Sequence, residues 1–160
     1  MQGNKGEWSK SYAALRIIGD RKIFVADRSG AMNPNEWMNV LALMRRETRE
    51  RLVSYRYDEN DVDVVIAVNE DPVYRLPASE FVSLADRLLT EINRNKSSSF
   101  VVTDELESAL RTVQVHSLKA KSDSKSDVTL SVLDPRSGVT RSEIGFSIKS
   151  ELGQPPTLFN

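Results

Sequence analysis

Residues 126–158 read SDVTLSVLDPRSGVTRSEIGFSIKSELGQPPTL. Val128, Leu130 and Val132 alternate with Asp127, Thr129 and Ser131, and Ile144, Phe146 and Ile148 alternate with Glu143, Gly145, Ser147 and Lys149. Strand side chains repeat every two residues, so this spacing predicts two half-buried strands joined by a turn. If the strands are neighbours, Asp127, Ser147 and Lys149 meet on the polar side of a sheet whose other side is packed. From alternation alone, an ordinary hairpin with a salt bridge on its wet face is the better reading, since exposed pairs of that kind are common and contribute little.

Upstream, Trp8, Tyr12, Leu15 and Ile18 recur at helical spacing and predict an amphipathic helix over residues 7–18, ending near Gly19 and Asp20. Residues 22–26 read as a short strand, followed by an Asp-Arg-Ser-Gly turn and an Asn-Pro-Asn loop. Residues 37–45 fit helix or strand, and the extended segments that follow favour strand. Residues 51–57 and 62–68 flank an Asp-Glu-Asn-Asp turn, and residues 73–76 add another short strand. Residues 77–95 form the clearest helix, with Ser79 as a cap and Phe81, Leu84, Leu88, Leu89 and Ile92 on one face. A short extended piece at residues 100–102 precedes a second helix opened by Thr103 and running to about Thr112. The expected fold class is α+β: a mixed, largely antiparallel sheet with flanking helices. Residues 1–98 form an amino-terminal α+β region and residues 99–160 begin a second unit, the two admitting union in one domain.

The 160 residues suffice for one sizeable core. Absence of cysteine excludes disulfides and thiolate metal sites. The single histidine, His116, excludes a His-rich metal site within one chain and reads as a boundary residue after a helix. Twenty-two basic residues stand against twenty-three acidic ones, so the net charge of −1 does not mark a non-specific nucleic-acid binder. Locally, Arg45, Arg46, Arg49 and Arg51 cluster, as do Lys119, Lys121 and Lys125; each group reads as phosphate contacts or as solvated charge. No run is long and apolar enough to span a bilayer, and the first residues lack an apolar targeting core, so a cytoplasmic location with no membrane partner is expected.

Three segments go further than composition. GFSIKSELGQPPTL at residues 145–158 closely resembles the core motif of the HpaII-type restriction endonucleases, a branch of the PD-(D/E)xK nuclease superfamily. GNKGEWSKSY at residues 3–12 resembles that family's amino-terminal signature, and KAKSDSKSDVTL at residues 119–130 resembles its approach to the metal-binding aspartate. The resemblance spans both ends of the chain in order. It implies a restriction-endonuclease-like core and a type II enzyme that hydrolyses double-stranded DNA at a short specific site with Mg²⁺. It also implies a polypeptide that continues well past residue 160, so the core is expected to be incomplete at its carboxyl end. Cleavage of both strands calls for two active centres and raises the expectation of a homodimer.

Magnesium prefers hard oxygen ligands and keeps several waters, so one or two carboxylates plus substrate phosphate suffice. Asp127, at a strand start, is the first candidate ligand, and the resemblance implies the Ile148 backbone carbonyl as a second. Lys149 is expected to stabilise developing charge rather than act as a base, because a lysine beside phosphate and metal stays protonated unless burial lowers its pKa. The superfamily often carries an acid two positions before this lysine, where this chain has Ser147. A hydroxyl can hold a metal-bound water but brings no charge. Glu143, Glu151 and Glu7 are the acids available to compensate, and Glu7 is preferred because it lies in the amino-terminal motif. Ser150, Gln154 and Thr157 match the tail of the core motif and are expected on the DNA backbone, against a plainer role in turns around Pro155 and Pro156. The competing expectation is a non-enzymatic DNA-binding or assembly module derived from a nuclease. A third is an unrelated α+β protein whose hairpin mimics the motif.

Overall fold

The computed structural model describes residues 1–58, 60, 62–118 and 126–149. Along the chain come β1 (Gln2–Asn4), α1 (Lys5–Asp20), β2 (Lys22–Ala26), β3 (Met32–Arg46), β4 (Leu52–Tyr57), β5 (Asp63–Val68) and β6 (Asp71–Pro77). They are followed by α2 (Ala78–Arg94), β7 (Ser99–Val101), α3 (Asp104–Thr112), β8 (Val128–Leu133) and β9 (Thr140–Phe146). The main sheet runs β6-β5-β4-β3-β8-β9, with β2 also paired to β3, and a separate ribbon joins β1 to β7. Every described strand pair is antiparallel. The α+β class expected from the sequence, with an antiparallel sheet and flanking helices, is the observed one.

Period-two patterning explains which face is covered. Leu130, Leu43, Tyr55 and Ile66 stand opposite one another across four strands, and each is at most 3% exposed. The next row, Thr129, Met44, Ser54 and Ala67, points to the other face. The apolar stripes of the helices join the first row: Trp8, Leu15 and Ile18 from α1, Phe81, Leu84, Leu88 and Ile92 from α2, and Leu106 and Leu110 from α3. One hydrophobic cluster thus gathers side chains from before and after residue 98. Gly19 permits the close approach of α1 to α2, since a Cβ there would sit 2.6 Å from Val82 Cγ2 and 3.0 Å from its backbone nitrogen. Trp8 stacks on Phe100 with ring centroids 5.8 Å apart and donates its indole N–H to the Phe100 carbonyl at 3.3 Å, tying α1 to β7.

Four local expectations need correction. The Asn-Pro-Asn loop is part of β3; Pro34 falls between the paired positions Met32 and Trp37, in a bulge where a missing N–H costs no ladder bond. Ser79 does not cap α2, whose preceding residue Pro77 makes no side-chain cap, whereas Thr103 does cap α3 by accepting from the Leu106 N–H at 3.4 Å. β1 was invisible locally because it is three residues long and its partner β7 lies about a hundred positions away. The second hairpin strand starts at Thr140 and stops at Phe146, so Ser147, Ile148 and Lys149 lie past its end rather than within it.

Candidate active site

Asp127 lies one residue before β8, and its N–H donates at 2.9 Å to the carbonyl of Phe146, the β9 residue paired with Val128. Its carboxylate is 16% exposed. Oδ2 accepts the Ile148 N–H at 2.8 Å, and Oδ1 faces the Lys10 ammonium at 2.6 Å. Three elements therefore meet at one carboxylate: helix α1, the start of β8 and the chain just after β9. Charge-assisted bonds on both oxygens fix its orientation.

The expected residues are distributed around this point unequally. Ile148 reaches Asp127 through its N–H, whereas the resemblance implies its carbonyl as a metal ligand. Ser147 and Lys149 are exposed on either side of Ile148. The strand register does not continue to Ser147, because the Asp127 N–H bonds the carbonyl of Phe146, the residue already paired with Val128. Among the described residues, the ion pair to Asp127 comes from Lys10, which the sequence reading passed over. The signal was present: Lys10 stands three residues after Glu7 in the amino-terminal motif, so both occupy one helix face.

Glu7 is engaged elsewhere. It closes a capping box at the start of α1, accepting the Asn4 N–H on Oε2 at 2.9 Å while its own N–H donates to Asn4 Oδ1 at 2.8 Å. It also lines a cavity of about 220 Å³ with Met1, Gln2, His116, Ser117 and Leu118. Leu118 is shared with the small space between Lys10 and Asp127. Glu143 adopts a left-handed φ of 56° beside the β8–β9 register shift and lines a cavity of about 230 Å³ together with Asp127, Arg46 and Thr129. Cross-strand geometry brings these two acids to one cavity. No cluster of three His, Asp or Glu side chains suited to a metal occurs among the described residues. Ser150, Gln154, Thr157 and Glu151 lie outside the described residues, as do Lys119, Lys121 and Lys125.

The arginine cluster divides. Arg45 is 6% exposed and Glu47 5%, on the core-facing parity of Leu43. Glu47 Oε1 accepts from Arg45 at 2.9 Å and from the N–H groups of His116 and Ser117 at 2.9 and 3.1 Å, and Oε2 accepts from Arg51 at 3.1 Å. Arg51 also donates to the Gln114 side chain at 2.6 Å, and Arg45 to the Ser117 carbonyl. These two arginines hold the segment that follows α3 rather than facing solvent as phosphate contacts. Arg46 is exposed and lines the cavity beside Asp127.

The family model for the HpaII restriction endonuclease matches residues 4–160. The chain belongs to the HpaII restriction endonuclease family. It is 33% identical over 158 residues to the type II restriction enzyme HpaII of Haemophilus parainfluenzae, an alignment that covers 99% of this chain and 43% of that protein. The chain thus spans less than half the length of this curated relative. No solved structure matches the chain. Membership of the HpaII restriction endonuclease family bears out the resemblance drawn from the three sequence segments.

Proposed function

We propose that this chain carries the Mg²⁺-dependent phosphodiester-hydrolysing centre of a type II restriction endonuclease that acts on double-stranded DNA at a short specific site. The observation that carries the reading is the convergence on Asp127 of the amino-terminal motif, through Lys10, and the core motif, through Ile148. Two segments far apart in sequence thereby frame one carboxylate.

The donor chemistry fits magnesium. Asp127 supplies hard carboxylate oxygen, a cation already stands against it, and Glu143 lines the same cavity. A set this small suits an ion that keeps most of its waters and takes substrate phosphate, not a closed structural site. Asp127 and the Ile148 carbonyl are the proposed ligands; Ser147 holds a water and Lys149 stabilises phosphate charge. Glu7 serves as an accessory acid only by giving up its capping bond. Ser150, Gln154 and Thr157 are assigned to the DNA backbone. When bound, the ion supplies Lewis-acid polarisation and a lowered pKa of bound water. Cutting both strands is assigned to a homodimer. No helix among the described residues is long and apolar enough to cross a membrane, and a cytoplasmic site of action accords with a DNA substrate.

Supercoiled plasmid incubated with increasing Mg²⁺ tests the proposal. Discrete linear products are expected, with activity falling at least about a hundredfold in Asp127→Ala and Lys149→Ala, the scale on which a catalytic electrostatic group acts. Undiminished cutting by both variants would refute the site. Binding of DNA in Ca²⁺ with no cleavage in any divalent ion would favour the non-enzymatic module, a reading that Ser147 in the acid position supports.

A further inference from the structure

We infer that Lys10 is a resident counter-cation of Asp127, which a divalent ion must displace before it can use the carboxylate. The inference rests on the proposed metal role of Asp127 and adds a residue that the role did not contain. Oδ2 is held by the Ile148 N–H and Oδ1 by the Lys10 ammonium at 2.6 Å, so each carboxylate oxygen has a donor. The space enclosed by Lys10, Arg45, Leu118, Asp127, Val128 and Ile148 is about 10 Å³. That is at the lower limit for a single water, roughly 10–15 Å³ on the same measure. An ion cannot be added beside the ammonium there, and two cations sharing one carboxylate repel.

The two cations of this space differ in freedom. Arg45 is 7% exposed at its side chain and fastened to Glu47 and the Ser117 carbonyl. The Lys10 side chain is 41% exposed, so its ammonium has water to move into. Its backbone stays in place, because Trp8, Leu15 and Ile18 anchor α1 in the core. The wider cavity lined by Glu143 and Arg46 gives an ion access to Asp127 from the other side. Lys10 thus keeps the carboxylate charge-balanced and oriented without metal, and yields as the ion binds.

Mn²⁺ binding to the full 160-residue chain, read as loss of the free-ion EPR signal, tests this without recourse to activity. Lys10→Met keeps the aliphatic stem and removes the charge. It is expected to tighten Mn²⁺ binding roughly fivefold, the ratio matching the interaction of a half-exposed ion pair. Lys10→Gln should act in the same direction, Lys10→Arg should bind as the unaltered chain does, and Asp127→Asn should abolish binding. Circular dichroism establishes which neutral variant is folded, and the folded one decides. Equal or weaker binding by the neutral variants, with Asp127→Asn still abolishing it, would overturn the counter-cation role and leave the metal role of Asp127 standing. No binding by any chain, or full binding by Asp127→Asn, would overturn both.

Discussion

Tyr55 shows how a single side chain links the sheet to the approach to the site. It is 3% exposed, and its hydroxyl donates to the Val113 carbonyl at 2.8 Å. Burial pushes its phenol above the ordinary value, against the nearby Arg45 charge, which lowers it. In the unfolded chain a tyrosine ionises near pH about 10. The folded state holds its proton above that pH and the unfolded state does not, so this contribution is complete below about pH 10 and is lost as pH rises further. Tyr55→Phe is expected to cost about 1–3 kcal/mol at neutral pH, because the buried Val113 carbonyl loses its donor. Urea unfolding of both proteins from pH 8 to 11 checks it: the gap should narrow above about pH 10, and a constant gap would contradict the assignment. The position was legible as core from alternation with Val53 and Tyr57, but its hydroxyl partner was not. A hydrogen bond to a residue 58 positions away leaves no trace in local pattern.

At the level of elements, Glu47 joins the β3–β4 hairpin to the segment that follows α3 and leads toward Asp127. Its side chain is 1% exposed and receives four donors, from Arg45, Arg51 and the N–H groups of His116 and Ser117. Removing one partner of a buried ion pair leaves the other charge uncompensated, at about 3–5 kcal/mol. Glu47→Ala is therefore expected to lower stability by about that amount in a denaturant melt, and to raise amide exchange first at residues 113–118. A loss under about 1 kcal/mol would mean that water replaces the carboxylate, contrary to the burial observed. Sequence alone had grouped Arg45 and Arg51 with Arg46 and Arg49 as surface charge. The clue was strand parity: Leu43, Arg45 and Glu47 share one face, and opposite charges on a core-facing stripe signal a buried pair. The helices were more readable than the strands, since α1 and α2 each repeat an apolar stripe over several turns and Thr103 marks the start of α3. β3 was underread because proline and asparagine ordinarily end strands, and here a bulge accommodates them.

Over the whole molecule, the hairpin at residues 126–148 earns its importance through β8, which pairs with β3 on one side and β9 on the other. That insertion holds Asp127 beside Lys10 in the amino-terminal half of α1, so a motif near residue 10 and another near residue 148 meet at one carboxylate. The pairing of the two strands followed from their alternation. The arrival of α1 did not, because helix placement on a sheet depends on packing such as Gly19 against Val82 and Trp8 against Phe100. The motif pointed to Asp127, and the geometry brings Lys10 to it. The direct test of the central claim is an anomalous difference map from crystals of this chain soaked in Mn²⁺. The expected peak lies within coordination distance of an Asp127 carboxylate oxygen, with the Lys10 ammonium withdrawn. Clear density for an intact Lys10–Asp127 pair and no peak at saturating Mn²⁺ would contradict it.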